Sequence, residues 1–335
     1  MYRVGIIGMG VGENHLRAFE SHEMCDVGGI CDFDAIKQDY CVKKYPKYSF
    51  TANCNDVIDN NMIDIVSIAS YDNYHCKQVV KSINNKKHIM VEKPMCLNSD
   101  ELKIIVKALK QNPDVVLSSN LVLRANSRFS FFRDQIKSGS LGDVYYIEAD
   151  YYWGRLSKLY GWRADMDYYS IILGAAIHMI DLAIWFMDET PVNIYAVGNR
   201  IGTFDSKQKY NSFAMLSLEF ESGLIIKVTG NGSCVHPHFH GVKIFGTKKT
   251  IVHSFNGAYF LDSNSADDQP TLVKENYPEK EKRKDIIHSF VNHLINKQKK
   301  PIVSAKETID LMSICIAAEE SMNTNKIVTI PYIEF

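Results

Sequence analysis

Five short apolar runs in the first 120 residues constrain the fold of this chain more than any other feature: residues 2–7, 27–31, 63–69, 88–91 and 115–118. Each has the length of a strand, and each is parted from the next by a segment long enough for a helix. Hairpins need only a few turn residues between strands, whereas parallel strands need a crossover of a dozen or more. The rhythm therefore predicts a doubly wound parallel α/β sheet over residues 1–120. Helices are predicted around Leu16 and Phe19, over 34–45 and 73–84, and from the capping-box sequence Asn98-Ser99-Asp100-Glu101 to residue 110. Sheets of this kind bind ligands outside the carboxyl ends of their strands, so the residues directly after each run are the candidates for chemistry.

The first run is followed by Gly8-Met9-Gly10-Val11-Gly12 and then a helix. Glycines in such a turn let backbone amides approach a pyrophosphate, and the helix amino terminus favours its charge. The third glycine comes one residue earlier than in G-x-G-x-x-G, which predicts a tighter turn. Asp32 closes the second run at the spacing where a carboxylate accepts hydrogen bonds from an adenosine ribose. That anion repels a 2′-phosphate, and Phe33 and Asp34 bring no arginine to hold one, so NAD is favoured over NADP. The fourth run stops at Glu92-Lys93-Pro94, delivering a carboxylate and an ammonium group to the same edge.

Beyond residue 120 the rhythm changes. A helix is predicted over 130–137, a strand over 144–153 and a helix over 171–186. Runs rich in β-branched and aromatic residues follow at 192–197, 213–220, 224–229, 242–245 and 251–255, several parted by tight turns such as Glu221-Ser222-Gly223. Residues 121–335 are thus expected to form an α+β domain with a large antiparallel sheet, closed by two late helices, the last opened by the capping box Ser304-Ala305-Lys306-Glu307.

Composition removes several classes of function. The 38 basic and 39 acidic residues leave a net charge of −1 with no broad basic face, so nucleic acid is not an expected partner. No apolar run reaches the roughly 18 residues of a membrane span, and the amino terminus enters a strand without the pattern of a secretory signal; a soluble, cytoplasmic protein is expected. The eight cysteines include no C-x-x-C pair and read as buried thiols. His236-Pro237-His238-Phe239-His240 has metal-like spacing but no Cys or carboxylate beside it other than Cys234, and reads as a substrate-facing or interface loop.

These motifs together resemble the glucose-fructose oxidoreductase, inositol dehydrogenase and rhizopine catabolism (Gfo/Idh/MocA) family. The matching residues, in order, are Gly8-Met9-Gly10 with His15, Glu92-Lys93-Pro94, Ser138-Gly139 with Leu141-Gly142, Trp162-Arg163, His178-x-x-Asp181 and Gly246-Thr247. The resemblance implies a Rossmann domain followed by an open-faced antiparallel sheet domain, a nicotinamide cofactor, sugar or cyclitol substrates, and homodimers or homotetramers. It implies that Lys93 lies near the reacting carbinol and that His178 is the general acid or base. It also places Ser70, Tyr71, His75, Glu92 and Arg163 along the cofactor, and Arg124, Trp162 and Asp181 toward the substrate. The residue chemistry agrees: oxidising a secondary alcohol needs a group to take the hydroxyl proton and a cation to steady the developing alkoxide, and an imidazole and an ammonium group suit these tasks.

One position departs from the family pattern. Many members carry an aspartate four residues before this histidine, where this chain has Gly174, and residues 168–173 replace a glycine-rich run. Either His178 works with Lys93 alone or with another residue, Tyr169 being a candidate, or the reaction is changed or lost. The expected activity is hydride transfer between NAD and a secondary alcohol or ketone of a sugar, a nucleotide-linked sugar or a cyclitol. The alternatives are a non-catalytic NAD-dependent sensor, or an enzyme that cycles a tightly bound NAD within one turnover.

Overall fold

A computed structural model describes the whole chain, Met1–Phe335. The amino-terminal part runs β1 (Tyr2–Ile7), α1 (Gly12–Glu20), β2 (Cys25–Cys31), α2 (Ala35–Lys44), β3 (Ser49–Thr51), α3 (Cys54–Ile58), β4 (Ile65–Ile68), α4 (His75–Asn84), β5 (His88–Val91), α5 (Ser99–Gln111) and β6 (Leu117–Ser119). The six strands form one parallel sheet in the order β3-β2-β1-β4-β5-β6. The chain order reverses between β1 and β4, so the carboxyl ends of these two strands flank the crevice where doubly wound sheets take their ligands. The strand β3 and the helix α3 went unpredicted because three- and five-residue elements carry no periodicity to read. Asn98 does cap α5, accepting from the Glu101 amide at 3.0 Å.

The later part runs α6 (Ser127–Lys137), β7 (Val144–Tyr152), a π-helical turn (Ile172–Ala176) leading directly into α7 (Ile177–Met187), and then β8 (Asn193–Asn199), β9 (Phe213–Glu219), β10 (Ile225–Asn231), β11 (Phe239–Gly246), β12 (Thr250–Ser254), β13 (Gly257–Leu261) and β14 (Thr271–Leu272). After these come α8 (Lys284–Ile295), α9 (Ala305–Thr324) and β15 (Val328–Thr329). The nine strands of the second sheet follow the order β14-β13-β12-β11-β7-β10-β9-β8-β15. Every pair is antiparallel except β7 with β10, so the sheet is mixed, a refinement of the expected antiparallel one. The exception arises because the chain leaves β7 for α7 and re-enters the sheet at β8 instead of turning straight back. Along β9 and β10 the burial alternates: Ala214, Leu216, Leu218, Ile226 and Val228 are fully buried, while Met215 and Ile225 face outward. Phe129 and Phe132 of α6 pack on Phe186 of α7 with ring centroids 6.2 and 6.5 Å apart. Each such buried ring contributes about 2–3 kcal/mol.

The chain packs into two compact units. Unit 1 holds Met1–Ala125, Lys280–Met312 and Ile333–Phe335; unit 2 holds Asn126–Glu279 and Ser313–Tyr332. Residues 280–312 thus fall in the same unit as the parallel sheet. An amphipathic helix shows that it needs an apolar partner without showing which one. In unit 1, α8 buries Ile286 and Phe290, and its His288 ring nitrogen donates to the Ala18 carbonyl of α1 at 3.0 Å. Ser118 of β6 likewise donates to the Val303 carbonyl at 2.8 Å. No helix is long and apolar enough to cross a membrane.

Candidate functional site

In unit 1 the turn after β1 is built for close approach. Gly8 has φ +89°, and a Cβ there would lie 2.4 Å from the Ala69 carbonyl oxygen, so only glycine fits. A Cβ on Gly10 would meet nothing within 4 Å, which leaves that peptide facing open space. Gly12 opens α1 and packs on Ile6 and Ala69. The shortened spacing therefore keeps a turn glycine, an approach glycine and a packing glycine. Val11 stands at the helix start with no side-chain cap on the first amides, which remain oriented toward an anion. Asp32 ties the turn to the end of β2: its Oδ2 accepts from the Met9 amide at 2.7 Å and its Oδ1 from the Asp34 amide at 3.0 Å. Beside it, the Phe33 ring is 56% exposed and meets Tyr71 and Tyr74 edge-on at 5.4 and 6.1 Å. An open cradle, uncapped amides and a carboxylate with no neighbouring guanidinium fit a dinucleotide with an unphosphorylated ribose.

Farther along the same edge, Glu92 extends β5, its amide donating to the Ile68 carbonyl at 2.8 Å. Its Oε1 lies 3.0 Å from His15 Nε2 and accepts from Asn120 Nδ2 at 2.7 Å, while His15 Nδ1 is 2.8 Å from Ser67 Oγ. One chain of polar side chains thus links α1, β4, β5 and the end of β6. Burial alone would raise the Glu92 carboxyl, but the hydrogen bond and charge of His15, the Asn120 amide and the Lys93 charge bring it down to about 2. The following peptide, Lys93-Pro94, is cis. His75, wholly buried, donates from Nδ1 to the Pro94 carbonyl at 2.7 Å, and its Nε2 lies 3.1 Å from the Ser70 carbonyl. His75 and Ser70 therefore join the loops after β4 and β5, which fixes the backbone that carries Lys93.

This carboxylate has a measurable consequence. Its folded pKa is depressed, so its stabilisation is present above the unfolded value of about 4.5 and is lost as pH falls through about 2. Over that window the wild type is expected to lose about 3 kcal/mol more stability than Glu92→Gln. Denaturant unfolding from pH 5 to pH 2 measures this difference, and parallel curves for the two proteins would refute it.

Arg124 is turned inward. Its side chain is 1% exposed, pairs with Glu307 and donates to the Ile302 carbonyl at 3.2 Å. A guanidinium so placed anchors the start of α9 and offers no surface to a substrate.

In unit 2 the segment before the π-helical turn is pinned by a buried carboxylate. Tyr168 donates to Glu319 Oε2 at 2.8 Å, and Ser170 donates to Oε1 of the same group. Burial raises the Glu319 pKa, and these two hydrogen bonds oppose the rise. Ser170 also accepts the Leu173 amide on Oγ at 2.9 Å and the Gly174 amide on its carbonyl at 2.8 Å, which caps the helix to come. A Cβ on Gly174 would lie 2.4 Å from the Tyr169 hydroxyl and 3.0 Å from its ring, and Tyr169 is only 2% exposed. The tyrosine thus occupies the space a longer side chain at 174 would need.

His178 stands half-buried on the first turn of α7, with Asp181 one turn on and buried. Its ring stacks on Tyr151 of β7, with centroids 5.7 Å apart and planes 22° apart. His238 and His240 also pack on Tyr151, at 5.3 and 4.9 Å. Two histidines of the His-x-His-x-His segment thus flank Tyr151, while His236 stacks on the neighbouring Tyr152 at 4.6 Å, and no three His, Cys, Asp or Glu side chains are grouped so that they could hold a metal ion. Arg163 lies over the Trp162 ring at 4.1 Å and the Trp153 ring at 5.3 Å. Ser67, Asn120 and Tyr151 were not among the expected residues. Ser67 left a signal, a polar residue inside an apolar run, since a buried hydroxyl needs a partner.

Residues 2–120 match the family described as "Oxidoreductase family, NAD-binding Rossmann fold", and residues 129–252 match "GFO/IDH/MocA C-terminal domain". Among curated relatives, myo-inositol 2-dehydrogenase of Thermotoga maritima is 23% identical over 258 residues, 74% of each chain. The 2,7-anhydro-N-acetylneuraminate hydratase of Escherichia coli is 22% identical over 254 residues, 75% of this chain and 67% of that protein. The solved structure of a levoglucosan dehydrogenase, in complex with NADH and levoglucosan, superposes with a TM-score of 0.85 at 18% identity, covering 98% of this chain and 99% of that one.

Proposed function

Since this chain belongs to the GFO/IDH/MocA family of oxidoreductases with an NAD-binding Rossmann domain, we propose that it interconverts a secondary alcohol and a ketone on a sugar or cyclitol. The observation that carries this reading is the Glu92-Lys93 pair. Its backbone is fixed by β4 and by His75, and it stands on the same sheet edge as a glycine turn that faces open space at Gly10. Relatives named for acting on inositol and levoglucosan support the substrate class.

NAD, when bound, supplies the acceptor for the hydride that leaves the carbinol carbon. The remaining work falls to the chain. The glycine turn and the first amides of α1 hold the pyrophosphate, and Asp32 accepts from the ribose hydroxyls. Lys93 steadies negative charge on the carbinol oxygen as its proton departs. His178 takes that proton on oxidation and returns it on reduction. Glu92, held ionised by His15 and Asn120, sets a negative charge beside Lys93.

The test is absorbance in the reduced nicotinamide band, with NAD and a panel of free sugars, nucleotide-linked sugars and cyclitols. A signal with one class, reduced about 10²- to 10⁴-fold in His178→Asn, is expected. A wild-type protein that binds NAD but neither reduces it nor transforms any compound of the panel would sink the enzymatic reading in favour of a sensor. A second reading has its own support in the hydratase relative: conversion of substrate without net NAD reduction would identify an enzyme that cycles its cofactor within one turnover.

A further inference from the structure

Two of the three closely spaced histidines of β11 and its approach, His238 and His240, have no part in the chemistry described above, yet both pack on the ring that stacks against His178. Within unit 2, Tyr151 lies at the centre of a compact aromatic cluster. The His178 ring is stacked on one side of it, His238 meets it edge-on at 80°, and His240 packs against it at 56°. His238 and His240 are themselves perpendicular neighbours at 5.0 Å. Each is held from behind: His238 Nδ1 donates to the Trp153 carbonyl at 3.1 Å, and His240 Nδ1 shares a 2.6 Å hydrogen bond with the Tyr277 hydroxyl. Tyr151 is 7% exposed and His240 is 4% exposed, so the cluster is fixed by packing.

A tyrosine ring face within about 6 Å of a cation attracts it through the ring quadrupole. We propose that Tyr151 is a positioning residue that stabilises the His178 imidazolium formed when the substrate proton is taken, with His238 and His240 fixing the ring that does so. This role rests on the assignment of His178 as the proton acceptor. Around α7 in unit 2, the other titratable or charged groups are Asp181 on its own helix, Tyr169 before it, His238 and His240 from β11, Cys315 and Glu319 from α9, and Arg133 with Asp188 at its far end. Of these elements, only β7 lays a ring face parallel to the imidazole. A parallel ring favours the protonated state, so removing it lowers the pH at which His178 titrates.

The experiment is histidine-ring NMR on protein labelled at the imidazole carbons. His178→Asn assigns the one resonance of interest among eleven histidines. In Tyr151→Leu the His178 titration is expected to move down by about half a unit, a roughly threefold loss of proton affinity, while Tyr151→Phe stays close to wild type. Phenylalanines carrying one to five ring fluorines at position 151 keep the shape and progressively deplete the ring face, so the titration should fall stepwise along that series. This arm stands even where Tyr151→Leu fails to fold. A flat fluorine series, or a Tyr151→Phe shift as large as that of Tyr151→Leu, overturns the proposal. The titration is read without turnover. Full activity in His178→Asn would therefore remove the acceptor assignment and leave the ring interaction standing, which separates the two failures.

Discussion

Lys93→Met is expected to lower kcat/KM about a thousandfold while leaving the affinity for NAD within about threefold, because the ammonium group acts on charge that develops only in the transition state. Methionine keeps the length and apolar stem of the lysine and removes only the charge. The loops that carry residue 93 are held by contacts the substitution does not touch: the Glu92 amide on the Ile68 carbonyl, the Asn120 amide on the Val91 carbonyl at 3.0 Å, and His75 on the Pro94 carbonyl. Lys93→Arg should rescue little, since a planar fork of five donors does not replace a compact ammonium aimed at one oxygen. Initial rates in the reduced nicotinamide band give the first quantity and a binding titration with NAD the second. Wild-type turnover in Lys93→Met would end the proposed role. A parallel collapse of NAD binding would make Lys93 a cofactor residue instead.

Gly174→Asp, which restores the side chain many family members carry at this position, is expected to destabilise the protein by about 3 kcal/mol and not to raise its activity. The first atom of any side chain there meets the Tyr169 hydroxyl at 2.4 Å and its ring at 3.0 and 3.1 Å. Tyr169 is buried and cannot swing aside at low cost. Gly174→Ala separates sterics from charge. A helical alanine would ordinarily gain up to about 1 kcal/mol over glycine, so a net loss measures the overpacking. In a Tyr169→Ala background the same Gly174→Ala change should cost at least 1 kcal/mol less, a coupling that a double-mutant cycle of thermal or denaturant melts reads directly. Equal costs in the two backgrounds would show that the tyrosine is not what excludes a side chain from 174.

The sequence by itself determined the parallel sheet, its carboxyl edge and the order of motifs along it. The reason is that strand-length apolar runs, a glycine turn and a terminal carboxylate are local patterns with local physical causes. Gly8, Asp32 and Glu92-Lys93-Pro94 stand where those patterns put them. Tertiary structure alone decided what each polar residue faces. Nothing near Arg124 in sequence announces Glu307, nothing near His75 announces the Pro94 carbonyl, and nothing in His-x-His-x-His announces Tyr151. The clearest case is Gly174. Read alone, it is a missing aspartate; in the fold, Tyr169, five residues earlier, fills its space because a π-helical turn and the Ser170 cap fold that segment back onto the helix. Partners distant in sequence are chosen by burial and by the need to satisfy every buried polar group, and both are properties of the packed chain.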